Sequence, residues 1–295
     1  MNFHTAERKR AKLKMGLQGP SGSGKTMSAL LIAFGINNNW EKIAVIDTEN
    51  GSANLYAHLG PFKVLDIQSP YTPEVYMKAI NFCESQSIEV VIIDSISHEW
   101  DGSGGVLDMH GSMAGNSFTN WAKLTPRHNT LIQVILQSPC HIITTIRTKQ
   151  DYVLVEKNGK QVPEKVGLKS IQRDGLEYDL TLVFDLDIKN NATASKDRTG
   201  LFFGKPEIKV SILTGQMLRD WCNSGSEISM NEISSRIGSC KSIAELLQLY
   251  SLYPEYKTSL QPEYEKRKRE LILTPDSKPQ LINSSNFNSN GEYNH

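Results

Sequence analysis

Leu13-Lys-Met-Gly-Leu-Gln18, running into Gly19-Pro-Ser-Gly-Ser-Gly-Lys25-Thr26, is the stretch that decides how the chain is read. Leu13 to Leu17 alternates apolar and polar residues as a short strand does, and Thr26 onward (Met-Ser-Ala-Leu-Leu-Ile-Ala-Phe34) reads as a helix. Between them, Gly19 to Thr26 fits GxxxxGK[ST] at every fixed position. In that setting Gly19, Pro20, Ser21, Gly22, Ser23 and Gly24 curl the backbone so that its N–H groups form an anion-binding nest at a helix N-terminus. The pattern directs Lys25 to the β- and γ-phosphates of a nucleoside triphosphate and the Thr26 hydroxyl to Mg²⁺, so the expected cofactors are ATP and Mg²⁺.

The 295 residues suffice for one large α/β domain with a small appendage, and 39% apolar residues can fill its core. Formal net charge is zero, so any contact with nucleic acid must come from local basic patches. Cys83, Cys140, Cys222 and Cys240 are far apart, without metal-ligand spacing, which predicts reduced thiols of a cytoplasmic protein and no structural zinc. No apolar run approaches a membrane span. The basic start leads into a strand and not into an apolar h-region, which argues against a signal peptide.

Residues 1–12 are polar and expected to be flexible. Ile43-Ala-Val-Ile-Asp47 and Glu89-Val-Val-Ile-Ile-Asp94 read as buried strands ending in acids, with a short strand at Val64–Ile67. Thr72-Pro73 is a helix start, Thr as N-cap and Pro in the first turn. Near-continuous apolar strands alternating with helices predict a mainly parallel sheet covered on both faces. Asp101 to Ser117 has neither period and reads as a mobile loop. Phe118 to Gln137 is an amphipathic helix, His141 to Arg147 a strand, and 148–178 an excursion with a hairpin turn at Asn158-Gly159. Asp179–Ile188 and Ile208–Leu213 read as strands, and Gly215–Cys222 as a short helix. The core is thus placed at 13–223, with a linker at Ser224-Gly-Ser226. A helical C-terminal module follows at 227–273, opened by a Ser242/Glu245 capping box, and then a disordered tail from Thr274.

Hydrolysis of a γ-phosphate needs a second acid for the magnesium shell and a residue that orients water. Asp94 fits the first role, as a metal ligand beside Thr26. Ser95 follows it, so the Asp-Glu pair typical of AAA+ enzymes is absent and the water-orienting acid must come from elsewhere. Glu49, just past the strand ending at Asp47, is the first candidate and Glu99 the second.

These segments resemble the RecA recombinase family. Ile43 to Glu49, continuing to Tyr56-Ala-His-Leu-Gly60, is similar to the strand and segment that carry its catalytic glutamate. Val90 to Ser95 resembles its Walker B strand, and Ile142 to Arg147 the strand that leads into its second DNA-binding loop. The resemblance covers about residues 13 to 215 and implies a RecA-like P-loop NTPase fold in which Glu49 orients water and Tyr56 packs against the base. Thr145 stands where the family has a γ-phosphate-sensing glutamine, which implies a different coupling of ATP to DNA. Ala53 stands in place of a base-contacting acid, and the family's N-terminal oligomerisation module has no counterpart before Gly19. With these departures the chain looks closer to the short RecA-like ATPases of phages and mobile elements, some of which act in single-strand annealing or strand exchange.

Asn190 to Gly200 reads as a polar loop holding Lys196-x-Arg198. RecA-like enzymes insert paired basic fingers from this region into a neighbouring subunit, and the bacterial RadA family has a similar Lys-Asn-Arg-Phe-Gly. By this resemblance Lys196 and Arg198 act in trans within a homo-oligomer. The 101–117 and 148–178 segments occupy the places of the two DNA loops, and the second carries Lys149, Lys157, Lys160, Lys165, Lys169 and Arg173, with Tyr152 able to stack on a base. Single-stranded DNA is the expected partner. The C-terminal helices, with Lys266-Arg-Lys-Arg269, suit a protein partner. The alternatives are a replicative helicase or helicase loader on the same core, an ATP-dependent switch, and a nucleotide kinase that does not act on DNA.

Overall fold

The structure, a computed structural model of the chain, describes residues 11–157, 160–223, 230–252 and 256–273. The expected flexible start up to residue 10, the expected turn at Asn158-Gly159, the expected linker at Ser224 to Ser226 and the expected disordered tail from Thr274 lie outside the described residues. Residues 11 and 12, expected to be flexible, are tied down: Ala11 N–H donates to the Cys222 carbonyl at 3.1 Å. The chain divides into two compact units, 1–227 and 228–295.

In the first unit β1 (Lys14–Gly19) leads through the glycine loop into α1 (Lys25–Asn37), followed by β2 (Ile43–Asp47), a 3₁₀ helix (Ser52–Leu59), β3 (Lys63–Asp66) and α2 (Pro73–Ser85). Then come β4 (Val90–Asp94), α3 (Ser97–Asp101), α4 (Val106–Ser112), α5 (Ser117–Gln137) and the long β5 (His141–Lys157) with β6 (Lys160–Ser170). The unit closes with α6 (Leu176–Asp179), β7 (Leu182–Leu186), β8 (Asn191–Asp197), β9 (Ile208–Lys209) and α7 (Ile212–Asn223). The sheet order is β3-β2-β4-β5-β1-β7-β8-β9, parallel from β3 through β7 and antiparallel from β7 to β9. β2 and β4 are buried along their whole length, as strands covered on both faces must be.

One face packs Ala44, Ile46, Val91, Ile93 and Ile142 against Tyr76, Ile80 and Cys83 of α2 and Leu131 and Ile135 of α5. On the other lies α1, which touches β4 and β5 beneath it and α7 along its flank. With neighbours on two sides α1 is apolar nearly all round, burying Leu30, Ile32, Ala33 and Ile36. It meets α7 at glycine: a Cβ on Gly35 would fall 2.7 Å from Gly215 Cα and closer still to the Ile212 carbonyl oxygen. Lys14, 5% exposed, donates to the Ser138 carbonyl at 2.8 Å just past α5, and burial pulls its amine down to about 8.

Four expectations change. The 101–117 loop holds α4, because Val106 is fully buried and Asp108 Oδ2 accepts the Gly104 N–H at 2.7 Å, closing a cap too short to show a period. The expected strand at Ile208–Leu213 is two residues long. Ser211 N–H finds Thr214 Oγ1 at 3.2 Å, and the helix starts at Ile212. The expected strand from Asp179 begins only at Leu182, after the turn of helix α6. The polar loop at Asn190–Gly200 is largely strand β8, because β7 has an open edge and the alternating burial of Asn191 and Ala192 suits an edge strand. The 148–178 excursion is the ribbon β5–β6, with Lys157 opposite Lys160 and a register shift between Asp151 and Tyr152.

In the second unit α8 (Met230–Ser239), α9 (Ile243–Leu252) and α10 (Gln261–Leu273) bury Ile233, Ile237, Leu246, Leu249, Tyr264 and Leu271. Glu245 N–H donates to Ser242 Oγ at 3.2 Å, half of the expected capping box, while Glu245 Oε2 accepts from the Lys241 N–H. Arg267, in the basic run, is spent on structure: both Nε and a terminal nitrogen donate to the Cys240 carbonyl.

Candidate functional site

Parallel strands end together, so the C-terminal edge of the sheet gathers the loops after β1, β2, β4 and β5. Asp47 is the register partner of Asp94, and Gly19 of Arg147. At this edge lies a cleft of about 450 Å³ lined by Ser21, Gly22, Gly24, Lys25, Thr26, Glu49, Ser52, Tyr56, Asp94, Arg147, Thr148 and Ile171.

The glycine loop curls because Gly22 and Gly24 both sit at φ +79°, where a side chain is strained. Gly19 is forced by space: a Cβ there would lie 2.5 Å from the Leu186 carbonyl oxygen and 2.6 Å from Ser23 Oγ. Lys25 Nζ donates to the Gly19 and Pro20 carbonyls at 3.0 and 2.8 Å, and burial lowers its affinity for a proton, partly offset by Asp94 and Glu49 nearby. From outside, Asn190 in the β7–β8 turn donates to the Gly22 carbonyl at 3.2 Å and lies against Gly24.

Asp94 is the best-held group of the site. It is 2% exposed, Thr26 Oγ1 donates to its Oδ2 at 2.6 Å and Thr145 Oγ1 to its Oδ1 at 2.5 Å. Burial pushes its carboxyl up, and the two hydroxyls pull it back. A hydroxyl beside a carboxylate at the mouth of an anion nest is the hard-oxygen set that Mg²⁺ prefers, so Thr26 and Asp94 fit as its protein ligands. Thr48 ties β2 to β4: its N–H donates to the Asp94 carbonyl at 2.8 Å and its Oγ1 accepts from Ser95 N–H at 2.8 Å. Thr145 is fully buried on Asp94 and does not line the cleft.

Glu49 lies in the cleft because Asp47 folds the chain beyond β2, accepting the Glu49 N–H at 2.6 Å and the Ala53 N–H at 2.8 Å. Both Glu49 oxygens are engaged by Arg147, Oε1 by Nε at 2.8 Å and Oε2 by a terminal guanidinium nitrogen. Glu99, the alternative acid, is not brought to the site. It is fully buried and paired with His128 Nδ1 at 3.0 Å, because α3 turns it inward onto α5. Tyr56 sits at the cleft wall on the 3₁₀ helix.

Lys196 and Arg198 lie elsewhere. β8 runs antiparallel to β7, so Lys196 stands opposite Val183, away from the glycine loop, and does not enter the cleft of its own chain. Lys196 Nζ donates to the Glu177 carbonyl at 2.7 Å and to that of Tyr178, and Arg198 donates to the Tyr178 carbonyl at 2.8 Å, capping α6.

Sequence reasoning missed Arg147, Asn190 and the anchoring role of Asp47. An arginine at the end of an apolar strand, where that strand leaves the sheet, was a readable signal; the reach of Asn190 to the glycine loop was not. Among the described residues no helix is long and apolar enough to cross a membrane. A protein-family profile described as an AAA domain matches residues 11–209, from just before β1 to the end of β9. No curated protein matches the chain. The matched span holds the whole sheet and the cleft, a P-loop domain of the kind that binds and hydrolyses nucleotides, and the chain belongs to the AAA domain family.

Proposed function

We propose that the chain is an Mg²⁺-dependent ATPase of the RecA-like recombination type, acting on single-stranded DNA as phage and mobile-element proteins of that kind do. The observation that supports it best is the convergence of Lys25, Thr26, Asp94 and Glu49 on one cleft from three sheet-edge segments, those at the ends of β1, β2 and β4. The placement of these residues supports the following roles. The loop N–H groups and Lys25 take the β- and γ-phosphates, and Tyr56, on the cleft wall, packs against the base. Thr26 and Asp94 would hold Mg²⁺, which would supply charge neutralisation on the phosphate oxygens. Glu49 orients water. As the water oxygen bonds to the γ-phosphorus, the bond from phosphorus to the β–γ bridging oxygen breaks with its electron pair leaving on ADP, and the water's proton passes through Glu49 to solvent.

The DNA part rests on the ribbon. Thr148 at the start of its outgoing strand and Ile171 just past its return both line the nucleotide cleft, so anything that grips the ribbon is mechanically joined to the site. Steady-state phosphate release should rise strongly on adding single-stranded DNA and fall by about a hundredfold in Glu49→Gln. DNA affinity should drop steeply with salt. Turnover indifferent to DNA, with Glu49→Gln active, would sink this reading.

Assembly is proposed from the other end of β8. Lys196 and Arg198 do not enter the cleft of their own chain, which suits delivery to a neighbour's. On that reading Arg198→Ala loses turnover most at high protein concentration, where wild type assembles. Full turnover of Arg198→Ala at saturating protein would remove it from the mechanism.

A further inference from the structure

We infer that Arg147 is the γ-phosphate sensor of this site and works by exchange: its guanidinium leaves Glu49 for the γ-phosphate, freeing Glu49 to orient water. The inference rests on the reading of Glu49 given above.

Arg147 is built as a fixed base with a movable arm. Its N–H donates to Ser97 Oγ at 2.9 Å and its carbonyl accepts from Ile171 N–H at 2.7 Å. Its Cα lies opposite Gly19, the first residue of the phosphate loop. The side chain is 43% exposed and enters the cleft beside Lys25 and Asp94. The planar fork takes both oxygens of Glu49 at once, the geometry that guanidinium offers equally to carboxylate and to phosphate.

Two consequences follow. While the pair is closed, both Glu49 oxygens are spent on guanidinium, so the carboxylate is poorly placed to orient water. A triphosphate in the same cleft brings a second anion of higher charge within the arm's sphere, and a single guanidinium cannot serve both bidentately. Taking the γ-phosphate releases Glu49 and neutralises charge on the transferred group in one movement. A diphosphate has no γ-phosphate and leaves the pair closed. Thr145 is committed to Asp94, and Arg147, two residues on, does the sensing on the same strand. Because Ile171 and Thr148 flank Arg147 in the cleft wall, the exchange is felt at the root of the β5–β6 ribbon.

The test measures binding with the full-length protein and Mg²⁺, using fluorescent ADP and a fluorescent non-hydrolysable ATP analogue, with melting temperature as the fold control. Arg147→Ala should lose preference for the triphosphate by on the order of tenfold while ADP affinity stays within about twofold. Arg147→Lys, which keeps charge but not the fork, should fall between the two. Glu49→Gln removes the competing anion and should tighten triphosphate binding by about fivefold or more, with ADP unchanged. That gain should vanish in the double variant. An unchanged triphosphate-to-diphosphate ratio in Arg147→Ala, or an equal loss of both nucleotides, would overturn the exchange. Since these are binding readouts, they stand apart from the Glu49 reading itself, which fails if Glu49→Gln hydrolyses ATP at the wild-type rate.

Discussion

Lys25→Ala is expected to abolish nucleotide turnover, with phosphate release down by about a thousandfold and the fold intact. Two losses combine. The ammonium is the strongest positive charge aimed at the phosphates from within the loop, and removing one such preorganised donor alone costs about 10²–10³ in rate. It also holds the loop's shape through its bonds to the Gly19 and Pro20 carbonyls. Burial already depresses the Lys25 amine, and anions arriving in the cleft favour its charged form, so nucleotide binding strengthens the ion it needs. The check is a phosphate-release assay beside a thermal melt. Turnover within tenfold of wild type would mean that the loop binds phosphate through its backbone alone.

Gly35→Val is expected to cost at least about 3 kcal/mol, lowering the melting temperature of a domain this size by roughly 6–12 °C. The atoms that a Cβ at Gly35 would meet are backbone: the Ile212 carbonyl oxygen, Gly215 Cα and Gln216 N. A side chain in the way can rotate, but two helices in backbone contact can only separate. Separation opens the α1–α7 seam along the helix that begins with Lys25 and Thr26, so nucleotide affinity should fall together with stability. Gly111→Ala is the matched control. It lies inside α4, a Cβ there meets nothing within 4 Å, and alanine should be neutral or mildly stabilising. Equal melting temperatures for wild type and Gly35→Val would show that the seam tolerates a gap.

The sheet was legible because its strands declare themselves. Ile43–Asp47 and Val90–Asp94 are apolar throughout and end in acids, and the structure buries both and sets those acids side by side. Thr72-Pro73 was readable from local chemistry alone, and Thr72 Oγ1 does accept the Val75 N–H, at 3.4 Å. What the sequence hid depended on partners far along the chain. Asn191–Asp197 is polar enough for a loop and becomes a strand because β7 has an edge to fill. Ile208–Leu213 is apolar enough for a strand and gives way to a helix cap at Ser211. In the site, the phosphate loop and its two acids could be picked out by pattern, whereas the Glu49–Arg147 pair joins residues 98 apart. No spacing rule connects them, since only the sheet order β2-β4-β5 brings the end of β5 within reach of the segment after β2.

That register also sets an order of events during synthesis. β1 is made first among the strands, yet its neighbours are β5, from His141, and β7, from Leu182. At translation rates of about 5–20 residues per second, the nascent β1 waits roughly ten to thirty seconds for the second of them. β2, β3 and β4 can pair with one another in the meantime. The phosphate loop is therefore made before the strands that flank β1 and is among the last parts of the sheet edge to acquire its shape, closing a central gap in a sheet whose one flank is already standing. A chain truncated before Leu182 would keep the complete loop sequence and still lack the wall on which the loop folds.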